Sequence, residues 1–526
     1  MPTPGGLRPA RTPALPLPVV ARIAGADPAG LPAVPVTGVT LDSRSVRPGD
    51  LYAALPGFHR HGAGFSAEAA RAGAVAVLTD PPGATASAAA GLPVVVVVDP
   101  RAVLGAVAAR VYGSPADDLL MLGVTGTNGK TTTAYLLEAG LRAEGRMSGL
   151  IGTVETRLGD DRLDSVRTTP EATELQALLA VMREHGCVAC AMEVSSHALA
   201  LHRVDGVVYD VAGFTNLSQD HLDFHADEED YFAAKASLFT PERSRRAVVC
   251  VDDEWGRRLA RQAGVPVVTL LTADARSAET VGGQAIPTAE VTPDWVVTER
   301  RTVQDGAATD FLLSGRDGAA LSLRSPLPGE FNVANTALAA LMLLEAGLTV
   351  DGLAAGLSRA VVPGRMQRVP GPAGGPLGVV DYAHTPEAVA AALRALRPGT
   401  VGRLVVVLGA GGERDVAKRP LMGAAAARGA DVVIVTDDNP RSEDPAAIRA
   451  HVLAGAVDAD TAAVVVEVGD RRAAVQLALT YATGPQDTVL VAGKGHERGQ
   501  DVGGTVLPFD DREVLAAALD GQAVRR

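Results

Sequence analysis

The sequence predicts an α/β protein of three domains built on mostly parallel sheets, and three observations predict it. Hydrophobic residues make up 47% of the chain but aromatics only 3%. Ala, Gly, Val and Leu therefore carry the apolar content, which suits Val-rich buried strands covered by Ala-rich helices. Val-rich runs alternate with Ala-rich stretches of helical length, as in "LPVVVVVD" followed by "PRAVLGAVAARVYG", the order of a strand and its crossover helix. Finally, 526 residues exceed what one hydrophobic core holds.

The elements follow in order. Residues 1–20 are Pro-rich and predict a flexible tail. A first domain is expected over 21–118. It holds a strand-and-turn pattern in "VTGVTLDSRSVRPGDLYAALPGFHRHGAGF", a helix-like "SAEAARAGAVAVL", a buried strand and a helix that Pro100 can start. A central domain over 119–363 opens with the strand "LLMLGVTG", a Gly-rich loop and a helix from about Lys130. It continues through "CVACAMEVSSHAL", "YDVAGFTNLSQDHLDFH" and "RAVVCVDDEWG", a polar β-prone section over 268–325, and the long Ala/Leu helix of "PGEFNVANTALAALMLLEAGL". The third domain, 364–526, alternates strand and polar loop four times, in "LGVVDYAHTPEA", "LVVVLGAGGERD", "DVVIVTDDNPRSEDP" and "DTVLVAGKGHERGQ". Loops leaving the carboxyl ends of parallel strands gather at one edge, so these four are expected to converge.

The formal charge of −13, from 48 basic and 61 acidic side chains, argues against generic nucleic-acid binding. It leaves room for an anionic small molecule held by local loops. No apolar run suits a signal peptide or a membrane span, so a cytoplasmic location without a membrane partner is expected. Cys187, Cys190 and Cys250 read as core thiols of a reducing compartment rather than zinc ligands or a redox pair.

The chemistry begins at "GVTGTNGKTTTAYLLEAGL". Two residues, Thr127 and Asn128, separate Gly126 from Gly129, where the commonest phosphate loop has four. The parts of a phosphate cradle are nevertheless present. Gly126 and Gly129 make the turn, Lys130 brings charge, Thr131 a hydroxyl for Mg²⁺ and Thr132 another, between a strand and a helix. From local pattern alone, a tight strand-to-helix turn with a surface lysine is the alternative.

"GTNGKTT" resembles the phosphate loop of the Mur ligase family and its folylpolyglutamate synthase relatives. Further motifs follow in that family's order: "EVSSHAL" (193–199), "NLSQDHLDFH" (216–225), "YFAAKASLF" (231–239), "GEFNVANTALAA" (329–340), "GRMQRV" (364–369), "DYAHTPEA" (381–388), "GGERDVAKRPLMG" (411–423), "DDNPRSEDP" (437–445) and "GKGHE" (493–497). The resemblance covers nearly the whole chain and is strongest to the diaminopimelate-adding branch. It implies a small N-terminal α/β UDP-binding domain, a central P-loop ATPase domain and a C-terminal Rossmann-like domain that binds the amino acid. It also implies an amide ligase using ATP as co-substrate with two Mg²⁺ ions. ATP would phosphorylate the D-glutamate γ-carboxylate of UDP-N-acetylmuramoyl-L-alanyl-D-glutamate, and an amine of diaminopimelate, the meso form being expected, would attack the acyl phosphate. A monomer acting on these two partners is expected.

The implied catalytic set is Lys130, Glu193, His221, Lys235 and Arg365. Thr131, Glu193, His221 and Lys235, the last as a carbamate, are the implied metal residues. A desolvated lysine near cations keeps a neutral amine able to capture carbon dioxide. Read without the family, Glu193 is a strand-end carboxylate, His221 a capped helix-start residue and Lys235 a solvated lysine. Asn332, Arg365, Asp381 and His384 resemble the rest of the ATP site, for the adenine edge, the transferring phosphoryl group and a ribose hydroxyl. That site would be completed by domain closure.

For the acceptor, the resemblance points to Arg414, Asp438, Asn439, Pro440, Arg441, Gly493 and Glu497. Arg441 can pair a carboxylate with two prongs and Glu497 can meet an ammonium. Lysine lacks the distal carboxylate, so discrimination against it should be strong. For the UDP-muramoyl peptide it points to Leu41 and Ser43 in "LDSR", Phe58, His59 and Arg60, then Arg167, Thr168, Thr169, Ser195, Leu201 and Arg203. Arg167 and Leu201 stand where the family has Asn and Gln. A lysine-adding ligase, a folylpolyglutamate synthase and a non-ligase P-loop nucleotide switch are the rival readings.

Overall fold

The computed structural model describes residues 7–57, 60–218, 220–221, 224–272, 292–303, 308–413 and 415–524. They divide into two compact units. The first comprises Met1–Thr298, Leu313–Leu321 and Ala334–Leu357; the second comprises Glu299–Leu312, Ser322–Val333 and Ser358–Arg526.

In the first unit a four-stranded parallel sheet runs in the order Gly38–Thr40, Asp50–Ala54, Ala76–Thr79, Val94–Val96. The helix Pro100–Val111 starts at Pro100, behind Asp99, whose carboxylate accepts from the N–H groups of Arg101 and Ala102 at 2.9 and 3.2 Å. Proline loses nothing at that position because the first-turn N–H has no helical partner. Leu104, Val107, Ala108 and Val111 bury the helix against Val39, Leu51, Ala53 and Leu78.

The start of the chain corrects the expectation of a free tail over 1–20. Leu15–Pro16 pairs with Pro35–Val36, and the helix Leu17–Ile23 buries Leu17, Val20 and Ala21. Arg8 donates to the Val39 carbonyl at 2.8 Å and pairs with Asp50 at 3.3 Å, while Ala10 and Arg11 donate backbone N–H groups to Glu184 at 2.8 and 3.0 Å. Proline-rich composition limits regular structure, but it does not stop Leu, Val and Arg side chains from finding buried partners. Residues 1–6 lie outside the described residues.

The larger sheet of this unit runs Asp161–Asp164, Glu155–Leu158, Ser148–Ile151, Ala189–Glu193, Leu120–Thr125, Val211–Phe214, Ala247–Cys250, Val267–Leu271, then the start of Trp295–Val303, paired through Trp295 and Val296. It is parallel from Ser148–Ile151 onward, and the first two strands form an antiparallel edge. Its central strands are buried on both faces, which is why they read as unbroken apolar runs. The β-prone section supplies Trp295–Val303, Ala308–Gly315 and Ala320–Ser325, and the unit boundary falls within these strands. Cys187, Cys190 and Cys250 are free and buried.

The second unit holds a sheet ordered Gln367–Val369, Leu377–Asp381, Thr488–Ala492, Leu404–Leu408, Val432–Val435, Val464–Glu467. All its pairings are parallel except that of Gln367–Val369. Val464–Glu467 is an edge strand beyond the four expected. Helices cover both faces, with Leu393, Met422 and Val452 in one core and Val475, Leu479, Leu515 and Leu519 in the other. Among the described residues no helix is long and apolar enough to cross a membrane.

Candidate functional site

In the first unit the loop after Leu120–Thr125 turns on Gly126 (φ 144°) and Gly129 (φ 91°) into the helix Lys130–Ala143. Both angles favour glycine, and a Cβ at Gly129 would stand 2.3 Å from Asn335 Oδ1. Lys130 Nζ donates to the carbonyls of Gly126 and Thr127 at 2.9 and 3.0 Å. Lys235, on the helix Glu228–Ala236, donates from Nζ to the same Gly126 carbonyl at 2.7 Å. The expectation from local pattern, a solvated lysine, is thus corrected: Lys235 is 1% exposed, because its helix buries this face. Burial pushes its pKa well below the ordinary lysine range, the neighbouring Lys130 adds to this, and Asp220 opposes it. Its Nζ lies 4.4 Å from the Tyr231 ring centroid.

Thr131 donates from Oγ1 to Glu193 Oε2 at 2.9 Å, and Thr153 donates to the same carboxylate from N at 2.7 Å and from Oγ1 at 3.2 Å. Glu193 is buried at the end of Ala189–Glu193. These are hard oxygen donors side by side, a set that fits Mg²⁺. Among the described residues no group of three or more His, Cys, Asp and Glu is placed to hold a metal ion. His221 takes a left-handed backbone (φ 55°), donates its N–H to Asp220 at 2.9 Å and sits edge-on to the His197 ring at 4.7 Å. Thr132 is buried in the first turn. Thr127 bonds Tyr231 Oη at 3.1 Å, and Asn128 donates its N–H to Asn216 Oδ1 at 3.0 Å. The loop is thereby tied to the chain leaving Val211–Phe214.

Hydroxyls cluster beside Glu193, and guanidinium groups gather on Glu171 and Glu174. Thr168 Oγ1 lies 2.9 Å from Thr153 Oγ1, and Thr169 donates to the Glu193 carbonyl at 2.9 Å and accepts from the Ser195 N–H at 3.1 Å. Arg203 and Arg101 both reach Glu171, at 2.9 and 3.2 Å, Arg167 lies 3.8 Å from Glu174, and Arg101 also donates to the Leu201 carbonyl at 3.4 Å. Burial and the neighbouring arginines lower the Arg203 pKa, against the pull of Glu171. In the first sheet Ser43 is buried in a turn that Asp42 caps by accepting the Arg44 N–H at 3.0 Å, beside Leu41, and Arg60 is exposed. Phe58 and His59 lie outside the described residues.

The second unit brings its polar loops together at the carboxyl ends of the strands, as their place after parallel strands predicts. Gly412 donates to the Asn439 carbonyl at 2.9 Å and Gly493 to the Asp381 carbonyl at 3.1 Å. Asp381 accepts from the N–H groups of Met366 and Ala383 at 2.6 and 2.9 Å, anchoring the turn that carries Arg365. Burial raises the Asp381 pKa, against the nearby Arg365 charge. The Arg365 guanidinium lies 4.4 Å from the Tyr382 ring centroid, and His496 packs on the same ring at 5.0 Å. His384 Nδ1 is 2.7 Å from the Tyr382 carbonyl. Asn332 is buried and donates to the Pro328 carbonyl at 2.7 Å.

Arg441 (φ 52°) is gripped by its backbone: its N–H donates to Asp501 O at 3.0 Å and its carbonyl accepts from Gly503 at 2.7 Å. Its guanidinium donates to the Gly412 carbonyl. Asp438 is buried 2.4 Å from where a Cβ on Gly493 (φ 113°) would stand, and the Pro440 carbonyl closes on Gly412. Glu497 Oε2 accepts from Asn439 Nδ2 at 2.8 Å and from Lys494 Nζ at 3.0 Å. Arg414 lies outside the described residues. Thr153, Arg101, Tyr382 and Lys494 were not singled out from the sequence. Thr153 follows an apolar strand and Lys494 sits inside "GKGHE", so the rule that drew attention to other strand-end loops could have found both.

Models of the Mur ligase family, catalytic domain, the Mur ligase middle domain and the Mur ligase, glutamate ligase domain match residues 35–112, 124–343 and 364–495. The chain is 55% identical over 522 residues to a UDP-N-acetylmuramoyl-L-alanyl-D-glutamate–2,6-diaminopimelate ligase of Streptomyces avermitilis, with 98% of each chain covered. It is 49% identical over 524 residues to a UDP-N-acetylmuramyl-tripeptide synthetase of Leifsonia xyli subsp. xyli, again over 98% of each. A solved structure of a UDP-N-acetylmuramoyl-L-alanyl-D-glutamate–2,6-diaminopimelate ligase matches with a TM-score of 0.67 at 31% identity, covering 98% of this chain and 100% of that one. With its parallel sheets, its short glycine loop and these matches along nearly its whole length, the chain belongs to the Mur ligase family.

Proposed function

We propose that this protein is an ATP-dependent ligase of peptidoglycan synthesis that joins diaminopimelate to the D-glutamate of UDP-N-acetylmuramoyl-L-alanyl-D-glutamate. The observation that carries the reading is the pair of lysines, Lys130 and Lys235, on the Gly126 carbonyl, next to the Thr131–Glu193 pair. Two amines and a buried carboxylate gathered at one glycine-rich strand-to-helix turn are the charges that phosphate and its cation call for.

ATP transfers its γ-phosphoryl group to the γ-carboxylate of the D-glutamate, the acceptor amine attacks the acyl phosphate, and ADP and phosphate leave. Lys130 stabilises the negative charge that gathers on the phosphates, the loop N–H groups orient them, and the Arg365 guanidinium stabilises the same charge on the transferring group. Thr131 and Glu193 would hold Mg²⁺, which supplies neutralisation of the phosphoryl oxygens when bound. A second ion would fall to His221 and Lys235. That requires the Lys235 amine to be carbamylated, and its depressed pKa favours the neutral amine that carbamylation needs. Arg441 and Glu497 take the distal carboxylate and ammonium of the acceptor, and Asn439 with the Asp438–Pro440 backbone shapes their pocket. Thr168, Thr169, Ser195, Arg203, Arg167 and the Leu41–Ser43 turn hold the UDP-muramoyl peptide. The working domains are 21–118 for UDP, 119–363 for ATP and 364–526 for the amino acid. The substrates place the work in the cytoplasm, and no step needs a second copy of the chain.

Phosphate release against a panel of amino acids tests the reading. Release should require both the UDP-dipeptide and diaminopimelate. Release with lysine in its place would make it a lysine-adding ligase, and release without any amino acid would make it a nucleotide switch.

A further inference from the structure

Lys494 is fully buried yet lies at a strand end among the acceptor loops. Gly493 (φ 113°) and Gly495 (φ 55°) flank it, and both backbones adopt angles that glycine supplies without strain. The chain doubles back there: a Cβ on Gly495 would meet the Gly364 carbonyl at 2.7 Å. Lys494 Nζ donates to Asn439 Oδ1 at 2.8 Å and to Glu497 Oε2 at 3.0 Å. Asn439 Oδ1 also accepts the Asp501 N–H at 3.0 Å, while Asn439 Nδ2 donates to the same Glu497 Oε2 at 2.8 Å.

This closed triangle determines two orientations. The Asn439 amide has one allowed sense, because turning it over would set its NH₂ against two donors, Lys494 Nζ and the Asp501 N–H. Glu497 has one oxygen engaged twice, and Oε1 is left outside the triangle. A carboxylate so held presents one oxygen in a set direction, which a freely rotating glutamate does not.

We propose that Lys494 is the positioning residue of the acceptor pocket, locking Asn439 and Glu497 so that Glu497 Oε1 meets the acceptor's ammonium group. This rests on the reading that Asn439 and Glu497 hold the acceptor. Lys494 itself touches no reacting atom. It acts by removing the rotamer freedom of two side chains before the amino acid arrives, so its loss should appear in acceptor binding.

The test is steady-state kinetics of Lys494→Met, Lys494→Gln, Glu497→Gln and the double variant Lys494→Met/Glu497→Gln, with ATP and diaminopimelate varied separately. Lys494→Met should raise the diaminopimelate KM by about tenfold or more while the ATP KM stays within about twofold. Lys494→Gln, which keeps a donor, should recover part of the loss, and the double variant should be little worse than the worse single one. Equal damage to both KM values, or effects of the two substitutions that multiply, would overturn the proposal. Should neither Lys494 variant fold, Asn439→Asp decides. It keeps the oxygen facing Lys494 but sets a carboxylate against Glu497, so the diaminopimelate KM should rise alone, and an unchanged value would overturn the proposal. An unchanged diaminopimelate KM in Glu497→Gln would instead remove the acceptor reading on which it stands.

Discussion

At the scale of single residues, two side chains lead to measurements. Arg441 is positioned by two backbone hydrogen bonds to the Gly499–Val502 strand and its turn, so its guanidinium is presented from a fixed base. Arg441→Ala keeps those bonds and removes only the fork. The diaminopimelate KM should rise about tenfold or more with the ATP KM nearly unchanged. An unaltered acceptor KM and rate would remove Arg441 from the pocket. His496 is the other. Burial, together with Arg365, Arg512, His384 and Lys494, drives its pKa from 6.5 down to about 3. The folded protein therefore refuses a proton that the unfolded chain accepts. The stability this group leaves intact above pH 6.5 is lost as pH falls from there towards 3. His496→Gln should flatten that part of the urea-midpoint profile by at most one proton's slope. Parallel profiles for the two proteins would mean that His496 takes a proton normally in the fold.

At the scale of elements, the last helix of the second unit is tied to its neighbour by a buried ion pair as well as by its apolar face. Arg471 begins the helix Arg471–Tyr481 and meets Asp511, the first residue of Asp511–Val524, through two bonds of 2.8 Å, with both side chains fully buried. Arg471 also donates to the Ala492 carbonyl at 2.9 Å, just before "GKGHE". Taking away one partner strands a charge in the core, at a cost of about 3–5 kcal/mol. Arg471→Met should lower the unfolding free energy by that amount. Chemical denaturation followed by circular dichroism measures it, and a loss under about 1 kcal/mol would show that water or another group takes over.

At the scale of the whole molecule, each compact unit has its own buried cores. Separate cores are separate cooperative systems. Calorimetry should therefore resolve more than one transition, with a van't Hoff enthalpy below the calorimetric one. A single transition with equal enthalpies would show that the units melt as one.

The α/β class, the glycine loop, the helix from Lys130 and the gathering of the strand-end loops were all legible in the sequence. Each depends on local rules: apolar runs make buried strands, glycine permits the turn, and parallel strands send their loops to one edge. Other facts were decided by tertiary structure alone. Nothing near Lys235 in sequence shows that it is desolvated against Gly126, 109 residues away. The Pro-rich start looked free until Arg8 met Asp50 and Val39. Lys494 carries no signal in the sequence that Asn439, 55 residues away, closes on it. Burial and hydrogen-bond pairing belong to pairs distant along the chain, and a side chain's electrostatic environment exists only once the fold has brought those pairs together.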